Sequence, residues 1–529
     1  MASRAIAQTI PIGLAGLHGS RNPSQLGPAH GSYFEGVDLD GGEIIKDGGV
    51  ANLNSVELGS GATILAGINW SPQPGDDHDV LMLDTGAVLK DTGAGTFGTS
   101  LTTGLNAPSI YPPSFTLGGG ETAGGDRKLF LYSEGNQVQV VVGTADTMAA
   151  IGTPPADWAT SFPLFGVLHL NRMWSGGNAS DPHRIYYSTT GDHEDYQGAG
   201  SGTLAVYPGE GTQLVAGISV RGFLVLWKYP LGIYLVDARD PDSSNWRVDR
   251  LTRAVGGVNQ HCIVQIDNDI LYLDRGGRFH LLSATDEPGS FNTSNIGRAN
   301  DIDTFMRDNV ALGNIRKAQG VWYTAKAKAW FGVPRIGSAD NDLRIIIDFN
   351  SQELGPRFLV SRRDIPISLW MRPDSEGIEI PVIGDDSGFV KLMDQDERSN
   401  DGQAYTMRLE TSEIDFSFID PSLGTLSKNG EFLEITADLI RNTYLNVIPV
   451  WDGNEGVPIQ FTIGSEGNVL GNFKLGVDAL AGAGIVNVRR KLKGSGRRLK
   501  LILENNILND ELRIAEVKVT FGTGDERTT

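Results

Sequence analysis

One phrase recurs along this chain: an apolar strand, a turn built from Asp, Gly or Ser, and a second alternating strand. It reads "DVLMLDTGAVLKD" at Asp79–Asp91, "RKLFLYSEGNQVQVVV" at Arg127–Val142 and "HRIYYSTTGDHEDY" at His183–Tyr196. It returns as "LGIYLVDARDPDSSNWRVDRL" from Leu231, "NDILYLDRGGRFHLL" from Asn268, "DLRIIIDFNSQELGPRFLV" from Asp342 and "VIGDDSGFVKLMD" from Val382. Gly reaches positive φ without a Cβ clash, and Asp bonds to its own turn, so each phrase predicts a β-hairpin. Taking Asp84, Ser133, Thr189, Asp237, Asp274, Asp348 and Asp385 as turn markers, the spacings are 49, 56, 48, 37, 74 and 37 residues. Before most hairpins lies another apolar strand or two, such as "LVAGISVRGFLVLWKYP" before Leu231. Four strands per unit at this spacing predict a β-propeller of about seven blades. Each blade buries both faces against its neighbours, which explains repetition of pattern without repetition of sequence. The 68 glycines, with no collagen period, fit a fold that turns every ten or so residues.

The flanks differ. Residues 1–55 are polar, rich in Gly and Pro and weakly periodic, and predict an extended N-terminal arm leading into a first strand. The propeller is expected over 56–402. The widest spacing holds an insertion near 284–315, with a short helix about Ile302–Val310. After about Gly402 the strands lengthen: "YTMRLETSEIDFSF", "TYLNVIPVWDG" and "ELRIAEVKVTFG" predict an antiparallel β-sandwich over 403–522. Residues 523–529 read as a flexible tail.

Composition limits function. Lys and Arg number 44 against 64 Asp and Glu, a formal net charge of -20, which disfavours a general grip on nucleic acid. The single cysteine, Cys262, excludes an intramolecular disulfide or a Cys-based zinc site, and is compatible with a reducing cytoplasm. No run approaches the apolar length of a membrane span, and the first twenty residues lack the continuous apolar core of a signal peptide.

"GDDHD" (Gly75–Asp79) and "GDHEDY" (Gly191–Tyr196) gather carboxylates and imidazoles, but neither has HExxH or calcium-loop spacing. Both read as Asx-type turns. "LGGGETAGG" (Leu117–Gly125) lacks the Lys-Ser/Thr of a phosphate loop, and no strand-to-helix unit offers a serine elbow. No catalytic, cofactor-binding or metal-binding residue is assigned. The charge anomaly is "RRKLKGSGRRLK", where Arg489, Arg490, Lys491, Lys493, Arg497, Arg498 and Lys500 stand together without an acid. It predicts a hairpin around Gly494–Gly496 and a contact patch for an acidic protein surface, on a neighbouring subunit or a docking partner.

The stretch "LNRMWSGGNASDPHRIYYSTTGDHEDYQ" (Leu170–Gln197) resembles a phrase of bacteriophage short-tail hub or nozzle proteins. Arg172, Trp174, Asp181, Pro182, Arg184, Tyr187, Ser188, Gly191, Asp192 and Tyr196 fill its places. The early segment "RNPSQLGPAHGSYFEGVDLDGGEIIKDGG" is similar to that family's N-terminal arm. The resemblance implies a non-enzymatic virion protein made in the host bacterial cytoplasm and assembled into the tail. It implies a hexameric ring below the portal and adaptor, contacting fibre or needle proteins and continuing a DNA channel without specific DNA binding. The alternative is a glycan-binding or glycan-cleaving propeller of the sialidase kind, for which aromatic and carboxylate side chains should converge on the central mouth.

Overall fold

The structure, a computed structural model, describes residues 5–19, 26–73, 75–93, 95–119, 127–285, 289–351, 355–439, 443–463 and 484–523. Seven four-stranded antiparallel sheets account for the repeated phrase. Blades 1 to 7 begin with Ile64–Trp70, Ser114–Gly118, Phe165–His169, Gln213–Val220, Ile263–Ile266, Gln319–Tyr323 and Ser368–Pro373. These first strands lie against one another around an axis, and that of blade 7 meets that of blade 1. The fold is an all-β propeller of seven blades. Its last blade borrows a strand from the start of the chain: Gly49–Asn52 pairs antiparallel with Val390–Gln395.

The uneven spacing of the turn markers has a structural cause. Asp84, Ser133, Asp274 and Asp385 lie between the second and third strands of their blades, whereas Thr189, Asp237 and Asp348 lie at the end of third strands. The phrase does not distinguish two successive hairpins of one blade. Its Asp is explained by bonding: Asp274 Oδ1 accepts the N–H of Gly276 and Arg278 at 2.8 and 2.9 Å. Asp385 Oδ1 does the same for Ser387 and Phe389 at 2.9 and 2.7 Å. Glycine also serves the taper toward the axis. A Cβ on Gly67, in the first strand of blade 1, would stand 2.6 Å from the Trp370 ring of blade 7.

A second body is a sandwich of two antiparallel sheets. One runs Val37–Asp40, Glu43–Lys46, Arg513–Thr523, Lys428–Leu439, Gly484–Lys491, with Ala5–Ile10 also on Arg513–Thr523 and Ser495–Gly496 on Lys428–Leu439. The other runs Gly31–Glu35, Met407–Thr411, Leu499–Asn505, Thr443–Trp451, and both Asn454–Glu455 and Ile459–Ile463 pair with Thr443–Trp451. This corrects the expectation of an extended N-terminal arm. The described part of residues 1–55 supplies four strands to the sandwich and one to blade 7. Of the expected flexible tail, residues 524–529 lie outside the described residues. The same holds for 464–483 of the expected sandwich and 286–288 of the expected insertion. The connection from blade 5 to blade 6 carries the helix Ile302–Asn309, which buries Ile302 and Met306.

Propeller and sandwich share one apolar core, running from Leu433, Leu501 and Phe521 to Ile345, Phe358 and Ile383. The junction is the outer strand of blade 6, Arg357–Ser361, buried throughout. Against it lie Gly31–Glu35 and Val37–Asp40, and the Leu17 N–H donates to the Phe358 carbonyl at 2.7 Å. Charges are buried at the same junction. Arg344 Nη2 lies 2.6 Å from Asp47 and 3.3 Å from Asp364. Arg363 reaches Asp47 at 3.3 Å and Asp364 at 3.4 Å. Lys328 is ion-paired with Asp38, and the Tyr405 hydroxyl donates to the Asp47 carbonyl. The Arg344 and Arg363 guanidinium groups sit 4.3 Å from the Trp330 ring centre and 4.0 Å from that of Tyr405. Charges taken from water are tolerated only when each is paired and held in this way.

Candidate functional site

The basic run does not form a hairpin. Gly484–Lys491 pairs with Lys428–Leu439 in one sheet, whereas Leu499–Asn505 pairs with Met407–Thr411 and Thr443–Trp451 in the other. Residues 492–498 carry the chain from one sheet to the other: Ser495–Gly496 still pairs with Lys428–Asn429, and the change of sheet falls at Arg497–Arg498. The Gly494–Gly496 stretch serves close approach: a Cβ on Gly496 would stand 2.7 Å from the Asp452 carboxylate and 3.2 Å from Trp451 Cβ. That carboxylate accepts the backbone N–H of Arg497 and Arg498, both at 2.9 Å. Leu492 and Leu499 are buried at either end of the crossing.

The seven cations are not equivalent. Lys500 is ion-paired with Glu410, and Arg498 Nη1 lies 3.4 Å from Glu413, both acids of this same chain. For these two cations the chain itself therefore supplies an acid. Arg489, Arg490, Lys491 and Lys493 are exposed and have no carboxylate partner among the described residues. Arg489 lies over the Phe432 ring, 3.9 Å from its centre. Because the Arg498–Glu413 pair is open to solvent, Arg498→Glu is expected to cost less than about 1 kcal/mol. An unchanged urea midpoint checks this; a large loss would mean that the side chain, not only its N–H, holds the crossing.

The acidic-histidine sequences become structural. Asp79 is buried and accepts from Asn69 Nδ2 and Trp370 Nε1 at 3.2 Å each, with Arg372 at 2.7 Å, joining blade 1 to blade 7. Burial raises its carboxyl pKa, and Arg372 lowers it. His78 lies 2.9 Å from Asp76. In the second sequence His193 is buried near Asn171, and Asp195 Oδ1 accepts the N–H of Gln197 and Gly198. Tyr196 meets Ser175 at 2.7 Å, and Ser175 meets Tyr132 of blade 2 at 3.0 Å. Burial pushes the Tyr132 phenol up to about 12. The rest of the Leu170–Gln197 phrase also serves packing. Trp174 packs, tilted, against Tyr187 and Trp246 with ring centres 5.0 and 5.4 Å away, and Arg172 donates to the Ser188 and Gly200 carbonyls. Arg184 pairs with Asp181 at 2.8 Å.

The central mouth opens on the face that carries the connections between blades. There the segment from Leu105 to Pro113, which joins blade 1 to blade 2, crosses the axis. Glu134 Oε2 accepts the N–H of Ser109 and Ile110, both at 2.9 Å, and Asn106 exchanges bonds with Asn136. Tyr111 is buried in the cluster of blades 4 and 5, and Arg316, at the entry to blade 6, lies 5.5 Å from its ring centre. The Pro113 carbonyl accepts from His261 Nε2 at 2.6 Å, at the entry to blade 5. The mouth on this face is filled by the chain's own Pro-rich segment. The sequence "NAPSIYPP" carries that signal in retrospect, because Pro fixes an extended path.

No family model and no curated protein matches the chain. Among the solved structures it is similar to are the following two. One is BamB from Moraxella catarrhalis, 11% identical, with 68% of this chain and 95% of that chain covered and a TM-score of 0.35. The other is YCF48 bound to D1 peptide, 11% identical, with 68% and 97% covered and a TM-score of 0.39.

Sequence reasoning missed the buried charges of the junction. The signal was a cation inside an otherwise apolar strand: Lys328 in "KAWFGVP" and Arg344 in "NDLRIIID". Among the described residues, no group of three or more His, Cys, Asp or Glu side chains has the geometry of a metal site. Nor is any helix there long and apolar enough to cross a membrane.

Proposed function

We propose that this chain is a structural protein of a bacteriophage short tail, forming a hub or nozzle ring below the portal and adaptor. The observation that carries the reading is the fusion of a closed seven-bladed disc to a sandwich through one core and a buried ion network. A disc and a sandwich joined through a shared core and paired buried charges transmit load, as a ring around a pressurised genome requires. The Leu170–Gln197 resemblance supports the same reading and supplies the number six. The glycan-processing alternative loses one place for its site, because Leu105–Pro113 occupies the mouth on one face.

Electron microscopy and mass measurement of the protein, alone and with its tail adaptor, are expected to find closed rings of six 56.8 kDa chains. Only single copies under both conditions would overturn the reading. With a net charge of -20 per chain, the ring is further expected not to retain duplex DNA at physiological salt. A gel-shift titration checks this; tight, salt-sensitive retention would contradict a passive channel wall.

A further inference from the structure

We propose that the outer edge of Gly484–Lys491, together with Lys493, seats an acidic extended segment from a second copy of this chain. The inference rests on the ring reading above and names the contact that would build it. Gly484–Lys491 is the last strand of its sheet. One edge is bonded to Lys428–Leu439, and no described strand pairs with the other. A free edge offers unpaired N–H and C=O groups to an added strand.

The side chains at that edge specify what it accepts. Successive residues alternate, so Ile485, Asn487, Arg489 and Lys491 share the face that also carries Thr436, Glu434 and Phe432. Ile485 is 71% exposed and Phe432 37%. Glu434, directly across from Arg489, is engaged by Asn487 Nδ2 at 2.7 Å, while Arg489 lies over Phe432. A complementary strand therefore carries carboxylates two residues apart, facing Arg489 and Lys491, and an apolar residue facing Ile485. Lys493 and Arg490 add positive charge alongside.

Charge selects the occupant. With 64 acidic residues against 44 basic, a second copy is a source of carboxylates and brings its own basic edge to a different place. The contact is thus head to tail, the kind that closes into a ring when the rotation permits. Cations at a sheet edge also serve simply to repel other strands, and the experiment separates that role from docking.

Isotopically light and heavy full-length protein, mixed at low salt and high concentration, is treated with a carbodiimide that joins lysines to carboxylates. Light-to-heavy crosslinks from Lys491 and Lys493 to an acidic segment are expected. The variant R489E/R490E/K491E/K493E should melt like the parent and self-associate about tenfold or more weakly at low salt, by sedimentation. Crosslinks confined to one chain, or no loss of association in the variant, would overturn the edge contact while leaving the ring intact. A parent that remains single at every concentration and with the adaptor overturns both.

Discussion

Asp47→Ala is expected to lower the stability of the whole chain by about 3–5 kcal/mol, the cost of leaving buried charge unpaired. Asp47 faces Arg344 and Arg363, both buried, and Asp364 alone would remain to answer two guanidinium groups. The effect should not stay local, because the same residue joins the chain entering blade 7 to blade 6 and, through its carbonyl, to Tyr405 of the sandwich side. The pH dependence has a definite sign. Burial would raise the Asp47 carboxyl, but Arg344 and Arg363 outweigh it and hold the group below its ordinary value. A carboxyl lowered in the folded state contributes its stability above the unfolded value and loses it as pH falls through the folded one. The parent should therefore lose part of its advantage over Asp47→Ala only below the usual carboxylate range. Urea midpoints from neutral to acid pH test both statements. A loss under about 1 kcal/mol, or a gap between parent and variant that does not narrow on acidification, would show the network to be unimportant.

A chain starting at Asn54 is expected to give no soluble folded protein at all. The missing residues hold five strands, which belong to three different sheets: Ala5–Ile10, Val37–Asp40 and Glu43–Lys46 in one, Gly31–Glu35 in the second, and Gly49–Asn52 in blade 7. Their removal would bare the edges of Val390–Gln395 and Met407–Thr411 and part of Arg513–Thr523, a ready template for aggregation. A circular permutant separates content from order. Ala5 lies opposite Gly522, so a short linker can join the ends, with new termini opened in the exposed turn at Gly75. That permutant keeps every strand and is expected to be soluble, with the circular dichroism of the parent. A soluble, cooperatively melting truncation would show that the N-terminal strands decorate a self-sufficient fold.

What was legible in the sequence was whatever pairs with its neighbour. Asp274 bonds Gly276 and Arg278 within one turn, so its hairpin was readable from a few residues. Even so, the marker slipped from one hairpin to the next within a blade, since both use the same turn chemistry. The N-terminal strands were not legible because most of their partners are remote: Ile45 lies opposite Arg513 and Phe34 opposite Leu409, and only Val37–Asp40 and Glu43–Lys46 pair locally, with each other. Read alone, "EIIK" and "GSYFE" are too short and polar to announce a sheet. The basic run misled for the same reason. Gly494 and Gly496 look like a hairpin turn until Trp451 and Asp452, against which they pack, are brought beside them. His193 and Asp79 went into inter-blade packing, where nearby sequence could not place them.

Because Ala5–Ile10 pairs with residues 517–522, a strand made before the propeller finds its ladder only when residues beyond the propeller have been made. Blades 1 to 6 complete themselves from contiguous sequence as they emerge. Blade 7 can close as soon as Val390–Gln395 appears, because Gly49–Asn52 is already waiting. The sandwich must hold four strands in reserve through the synthesis of the whole propeller, of which only Val37–Asp40 and Glu43–Lys46 have each other as partners meanwhile. Such long-range pairing is slow and leaves apolar edges open meanwhile. Translation thus acts as a timer: the disc is finished first, and the sandwich, with its basic crossing and outer edge, comes into being only once Arg513–Thr523 has been made. A prematurely terminated chain would carry a propeller but no docking edge, and so would be excluded from any ring built through that edge.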